Sequence, residues 1–377
     1  MSNSSRDGVN SKEKSAGSHS LAEILSQPEC WSKCLDELRS SKKLEEVRER
    51  FAGVSEWLFV GCGSSYYVAL AAAASMTTLT GQRAQAVPAS EVLLHPELVL
   101  ASFKSYLPVL ISRSGRTSEV LRAAELFKSR GVPTLAITCT TGEGLEKSAT
   151  ATIVLPAADE KSTVMTRSFT SMLLTLQNLA AMMGGNSGFC RSIQQMPAAA
   201  AAALEPLPER IRTFVERHHF ADYVYLAQGP LYGLACEGAL KVTEMSVSYA
   251  QAFHTLEFRH GPKSIVGPET LLVFLLSEAG YEEEVEVLEE MKSLGGTTLA
   301  ITNRADARAG AASDLLIELQ LDGPELARVA PHLFAAQLLG LFSGLKKGLD
   351  PDSPRNLSRV VVLDDENPRQ RSEHAAF

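Results

Sequence analysis

At 377 residues the chain is long enough for two domains, or for one domain duplicated, and either can bury a full core. Its 45% apolar and 21% charged residues are ordinary for a globular protein in water, no apolar run approaches the ~18–20 residues of a membrane helix, and a net charge of −8 argues against nucleic acid as a partner. The six cysteines (Cys30, Cys34, Cys62, Cys139, Cys190 and Cys236) contain no CxxC pair, and free thiols without a secretory signal imply a reducing cytoplasm.

In chain order, residues 1–20 are rich in Ser, Gly, Asn and charge and read as a disordered tail. Leu21 to Phe51 predicts one or two amphipathic helices. A short apolar strand, Trp57 to Val60, runs into Gly61-Cys62-Gly63-Ser64-Ser65 and an Ala-rich helix over Tyr66 to Leu79. Leu107 to Ser112 is a second strand, followed by a polar loop, a helix through Arg130 and the run Gly131 to Thr138. The Ala/Pro-rich stretch Pro197 to Pro208, its Ala run expected to be helical, connects to a second half that repeats the pattern. There a strand over Tyr223 to Ala227 leads through Gln228-Gly229-Pro230 into a helix over Leu231 to Ser246. A strand over Leu271 to Leu276, a helix through Leu294 and the run Gly295 to Thr302 complete the match, before a helix over Pro331 to Lys347. Leu-Ala-Ile-Thr closes the matching unit in both halves, at Leu135 and at Leu299, a period of about 164 residues.

Apolar strand runs alternating with amphipathic helices imply βαβ units and a parallel sheet covered on both faces. The expected fold is therefore α/β: two tandem doubly wound, flavodoxin-like domains related by internal duplication. They should span residues 52–196 and 209–350, with a helical segment over 21–51 in front and a tail over 351–377 behind.

Ligands of open parallel sheets sit where the loops after the strands converge. Ser112-Arg113-Ser114-Gly115-Arg116-Thr117 lies at such an edge and combines three hydroxyls, a Gly, two cations and the free N–H groups of a helix start. These are the parts of a phosphate site, and equally of a plain Ser/Thr helix cap. The duplicated half supplies an internal control: its loop reads Ser277-Glu278-Ala279-Gly280-Tyr281-Glu282, and two acids there would repel a phosphate. Gly61-Cys62-Gly63 lacks the third glycine of a dinucleotide fingerprint, Tyr66 standing in its place, so Ser64 and Ser65 are expected instead as hydroxyl donors at the same edge. Lys161 to Ser168 is another hydroxyl-rich helix start, with Thr163 a candidate substrate contact. In the second half Glu237, Lys241 and Glu244 fall at i, i+4 and i+7 on one helical face, either as a solvated ion-pair stripe or as a proton-transfer site at the working edge of that sheet. Sixteen residues beyond Glu244, His260-Gly261-Pro262 is a tight turn that would present a histidine on a loop.

Gly-Cys-Gly-Ser-Ser, Ser-Arg-Ser-Gly-Arg-Thr, Glu-Gly-Ala-Leu-Lys-Val-Thr-Glu and Glu-Phe-Arg-His-Gly-Pro together resemble the sugar isomerase (SIS) family, in order and over about Leu21 to Val362. The likeness is to the isomerase half of glucosamine-6-phosphate synthase and to stand-alone amino-sugar-phosphate deaminases, fructosamine-phosphate deglycases and ketose/aldose-phosphate isomerases. It implies that Ser65, Ser112, Arg113, Ser114 and Thr117 bind a substrate phosphate. By the same likeness Glu244 shuttles a proton between carbons 1 and 2, His260 opens the ring from a neighbouring subunit, and Glu237 and Lys241 line the sugar pocket. The expected unit is thus a homodimer that needs no metal or organic cofactor.

Two departures stand out. The synthase carries a glutaminase domain, whereas about fifty residues precede the first sheet here, so synthesis from glutamine is not expected. Arg359, in Pro354-Arg355-Asn356-Leu357-Ser358-Arg359, stands where the synthase has a substrate-contacting lysine, and an arginine cannot lose its proton or form a Schiff base. The expectation is deamination of an amino-sugar phosphate, most simply glucosamine-6-phosphate. Deglycation or plain aldose–ketose isomerisation is the alternative within the class, and a sensor that binds without turnover is the alternative outside it.

Overall fold

The computed structural model describes residues 15–101 and 105–363. Five strands, β1 (Glu56–Gly61), β2 (Arg83–Pro88), β3 (Tyr106–Ile111), β4 (Leu135–Thr138) and β5 (Ala151–Val154), form an all-parallel sheet in the order β2-β1-β3-β4-β5. Five more, β6 (Asp222–Ala227), β7 (Tyr249–His254), β8 (Thr270–Leu275), β9 (Thr297–Thr302) and β10 (Leu315–Glu318), repeat that order as β7-β6-β8-β9-β10. The inner strands β3, β4, β6 and β8 are buried almost end to end, as continuous apolar runs covered on both faces require. The edge strands β2 and β7 are half exposed. The duplication expected from the two Leu-Ala-Ile-Thr words is therefore present in topology as well as in sequence.

Each domain has an outer core of its own, around Phe127 in the first and Phe274 in the second. On their facing sides they share one continuous core that runs through Trp57, Phe169, Tyr225 and Phe334. The N-terminal segment forms three helices, Ser18–Leu25, Gln27–Ser41 and Lys43–Arg50, and rivets the two domains together. Trp31 stacks on Phe334 of the second domain with ring centroids 5.4 Å apart and donates its indole N–H to Thr170 of the first at 2.9 Å. Gln27 reaches Gln337 at 2.8 Å.

Two boundaries differ from expectation. The tail expected over residues 1–20 does not extend to residue 20, since a helix starts at Ser18: Asp350 accepts from the Gly17 amide at 2.9 Å and Asp352 from the His19 and Ser20 amides at 2.9 and 2.6 Å. Those carboxylates satisfy the orphan donors of a helix start and fix it in place; residues 1–14 lie outside the described residues. The boundary at residue 196 falls inside the helix Ser187–Leu204, which Asn186 caps through the Phe189 amide at 3.0 Å and which carries Pro197 within it. The expected linker is thus helical, continuing as Leu207–Arg217. The C-terminal segment is described to residue 363 and lies against the first domain.

The helix Tyr232–Ser246 is gripped through bare backbone. A methyl group on Gly340 would approach the Lys241 carbonyl to 2.8 Å, and one on Gly344 the Met245 carbonyl to 2.2 Å. Across the domain boundary, a methyl on Gly233 would approach the Tyr67 carbonyl to 2.8 Å. Backbone carbonyls cannot step aside as a flexible side chain can. Gly344→Ala should therefore destabilise the protein by about 2 kcal/mol or more, read as a lower midpoint in urea. An unchanged midpoint would show that the two helices can separate freely.

Candidate active site

The first-half loop is tied down through its backbone and lined with hydroxyls. β3 ends at Ile111, and the Ser112 amide bonds back to the Ile137 carbonyl at 3.1 Å. Gly115 takes a positive φ of 64°, and a Cβ there would press on Glu143 and Thr138 at 3.1 Å, so the turn needs a glycine. Thr140 holds the Ser114 carbonyl at 2.7 Å, and the Leu145 amide holds that of Gly115 at 2.9 Å. With its carbonyls tied down, the loop presents hydroxyls: Ser112 and Thr117 pair at 2.9 Å, and Ser114 accepts from the Arg116 amide at 3.2 Å. Ser64 and Ser65 open the neighbouring helix Ser64–Thr80, and a Cβ on Gly61 would strike the Ser65 backbone at 2.5 Å, so only glycine lets that helix start so close to β1.

The duplicated loop has filled its own cradle. Glu284 accepts from the Ser277 amide at 2.6 Å and the Ser277 hydroxyl at 3.2 Å, while Glu278 pairs with Arg328 at 2.7 Å. Burial pushes the Glu284 carboxyl up to about 7. An internal carboxylate thus takes the donors of this loop.

Glu237, Lys241 and Glu244 do share a face, but that face is not at the working edge of the second sheet. Their helix leaves the carboxyl end of β6 and returns toward the amino end of β7, so Glu244 lies near the amino edge. The cluster instead faces the carboxyl edge of the first sheet, where Ser64 donates to Glu237 at 3.0 Å and accepts from Lys241 at 3.3 Å. Lys241 and Glu237 are fully buried and stand 3.3 Å apart, Lys241 also bonds Glu244, and Glu244 keeps 18% of its side chain exposed. The solvated-stripe reading therefore fails.

Burial drives the Glu237 carboxyl up to about 8, Glu244 adding to the rise and Lys241 and Ser64 opposing it. Burial also presses on Lys241 to lose its proton, yet the two carboxylates outweigh it and hold the ammonium more firmly than usual. Near neutral pH Glu237 is thus largely protonated beside the Lys241 ammonium. Oε2 of Glu237 is buried without a partner among the described residues.

Other expected site residues are placed differently. Arg113 is 5% exposed and its guanidinium is committed to Glu160 at 3.2 Å and to peptide carbonyls, so it does not stand free for a phosphate. Thr163 contributes its backbone, accepting from Arg113 at 2.9 Å and donating to the Asp352 carbonyl at 3.0 Å. Arg359 pairs with Asp159, and its carbonyl also accepts from Arg113. His260 sits exposed on a short turn beyond the carboxyl end of β7. Glu160 went unnoticed in the sequence; an acid opening a hydroxyl-rich helix start was the available signal.

Paired sheets in one strand order, with a polar site where the domains meet, place the protein among the tandem doubly wound α/β proteins. The SIS-domain family profile matches residues 52–182 and 222–338, well over half of the chain, and the chain belongs to that family. It is 30% identical to glucosamine-6-phosphate deaminase from Thermotoga maritima, whose crystal structure it matches with a TM-score of 0.75 over 92% of this chain and 100% of that one. Tagatose-6-phosphate ketose/aldose isomerase from Escherichia coli matches with a TM-score of 0.80 at 25% identity, over 94% of this chain and 99% of that one. The isomerizing glutamine–fructose-6-phosphate aminotransferase of Bacteroides thetaiotaomicron is 26% identical over 370 residues, 91% of this chain. The chain spans 58% of that relative's length. Among the described residues no helix is long and apolar enough to cross a membrane, and no cluster of His, Cys, Asp and Glu could hold a metal ion.

Because Glu237 titrates higher folded than unfolded, its contribution to stability is complete below about 4.5 and is lost as pH rises toward 8. Glu237→Gln has no such proton to lose. Its melting curves should gain on the wild type by about 1 kcal/mol per pH unit between pH 6 and 8. Parallel pH dependences for the two proteins would mean that Glu237 is ionised throughout.

Proposed function

We propose that the protein converts an amino-sugar phosphate, glucosamine-6-phosphate in the simplest case, into the ketose phosphate and ammonia. The observation that carries this reading is the Ser64 bridge, which sets the carboxyl edge of the first sheet, where the Ser112–Thr117 loop follows the neighbouring strand β3, against the acid–base cluster of the other domain. The hydroxyls of Ser65, Ser112, Ser114 and Thr117 and the helix N–H groups would hold the phosphate. Glu244, the partly exposed carboxylate, takes the proton from carbon 2 of the open-chain aldose and returns it to carbon 1. The Lys241 ammonium steadies the charge that develops on the adjacent oxygen. That shift turns the 2-amino aldose into a 2-imino ketose, and addition of one water releases ammonia and the ketose. Proton transfer alone suffices, so the reading calls for no cofactor. The likeness to the Thermotoga deaminase favours loss of ammonia, and that to the Escherichia isomerase keeps simple aldose–ketose exchange as the second reading.

His260 would complete the site from a second copy of the chain. The helix carrying Glu244 has 15 residues and so runs about 22 Å from the carboxyl edge toward the amino edge of its sheet. β7 runs back about 20 Å over six residues before the turn that bears His260. Within one chain the two residues lie toward opposite edges of the same domain, which fits a homodimer with shared sites. Six free cysteines suit a reducing compartment such as the cytoplasm.

Ammonia release from glucosamine-6-phosphate should be detectable in the wild type and fall by about 10²–10⁴-fold in Glu244→Gln. Full activity in that variant removes Glu244 as the base, and ketose formation without ammonia moves the reading to isomerisation. Mixing inactive Glu244→Gln and His260→Ala chains should restore about a quarter of wild-type activity, since each mixed two-fold dimer regains one intact site. No recovery on mixing would place both residues within one chain.

A further inference from the structure

Arg113 stands inside the phosphate-type loop, yet its charge and its donors are already used. One terminal nitrogen donates to Glu160 Oε2 and the Val164 carbonyl, both at 3.2 Å, and the other to the carbonyls of Thr163 at 2.9 Å and Arg359 at 3.0 Å. All four N–H bonds of the two terminal nitrogens thus have acceptors. Glu160, with its side chain fully buried, is held in turn by the Thr166 amide and hydroxyl at 2.6 and 2.9 Å and by the Ser168 amide and hydroxyl at 3.1 and 2.5 Å. The Arg113 carbonyl is pinned as well, by the Thr138 hydroxyl at 3.1 Å and the Cys139 amide at 2.9 Å.

We propose that Arg113 is a positioning residue of the phosphate subsite: a planar strut that fixes the Ser112–Thr117 loop against the turn at 160–168 and against the C-terminal segment, and not the cation that meets the phosphate. The inference rests on reading that loop as the phosphate site. A phosphate drawing on this guanidinium would have to break a buried ion pair and strand the Glu160 charge, at a cost larger than one new contact returns. The anion is left to the hydroxyls of Ser65, Ser112, Ser114 and Thr117 and to backbone amides. The strut also makes the C-terminal segment part of the subsite wall. Besides the Arg359 carbonyl on Arg113, the Val361 carbonyl accepts from the Ser118 amide at 3.3 Å, and the Leu363 amide donates to the Ser118 hydroxyl at 2.9 Å. Only a planar fork reaches a carboxylate and carbonyls of three separate residues at once; the ammonium of a lysine, a single point with three donors, does not.

The test uses the full chain with Arg113→Lys, Arg113→Gln, Glu160→Gln and the double variant Arg113→Gln/Glu160→Gln, which leaves no unpaired buried charge and so keeps the fold testable. Three quantities are read: tryptic cleavage after Arg355 and Arg359 in the native protein, inhibition by inorganic phosphate, and the split between KM and kcat on glucosamine-6-phosphate. For a strut, Lys fails as Gln does. Cleavage and KM each rise about tenfold, phosphate inhibition weakens in step, and kcat stays within about threefold. Glu160→Gln reproduces the effect, and the double variant is no worse than the poorer single one. Rescue of phosphate inhibition by Arg113→Lys overturns the proposal, since a point charge would then suffice. So does tighter phosphate inhibition in Glu160→Gln, which would mean that the freed guanidinium meets the anion, and so does wild-type cleavage in every variant. Should the wild type not turn over glucosamine-6-phosphate, the proposed activity fails, while the cleavage comparison, which needs no ligand, still decides the role of Arg113.

Discussion

The architecture turns on the hydrogen bonds by which Ser64 of one domain joins Glu237 and Lys241 of the other. Taking an ammonium wholly out of water costs several kcal/mol, and Lys241 tolerates it because Glu244, Glu237 and a hydroxyl surround it. Part of that compensation comes from the opposite domain, so the charged cluster is stable only when the two sheets are docked in one register. The shared core from Trp57 to Phe334, the N-terminal helices across the seam and the glycine contacts of the helix Tyr232–Ser246 all enforce that register. The hydroxyl-lined edge of one repeat and the Glu237–Lys241–Glu244 cluster of the other are thereby held as a single unit.

Much of this was legible in the sequence, for identifiable reasons. Parallel strands buried on both faces must be continuous apolar runs, so β3, β4, β6 and β8 announced themselves, and the repeated Leu-Ala-Ile-Thr exposed the duplication. Spacing of i, i+4 and i+7 placed Glu237, Lys241 and Glu244 on one face. Periodicity says which residues share a face and nothing about what that face meets, which is why the cluster was expected at the wrong edge of its own sheet. Arg113 misled for a related reason. An arginine among serines and a glycine resembles an anion ligand, and the carboxylate that neutralises it lies 47 residues further along the chain. Residues 15–20 looked disordered by composition, and the aspartates that order them come more than 330 residues later.

The two halves also show how a duplicated scaffold divides labour. Both retain the strand order and the loop after the third strand. In the second half the loop is bound by its own Glu284 and by the Glu278–Arg328 pair, and its helix carries acids in the first turn. In the first half the loop is lined with the hydroxyls of Ser112, Ser114 and Thr117, and the nearby Arg113 charge is spent on holding backbone in place.

That contrast has a thermodynamic consequence. A loop that carries its own carboxylate is complete when the chain folds, whereas one that waits for an external anion is complete only when occupied. If the loop takes the phosphate proposed for it, the ligand acts as a missing structural part, raising the free energy of unfolding by RT ln(1 + [L]/Kd). The half-life of the protein would then follow the supply of its own ligand, with the first repeat as the weaker partner in scarcity.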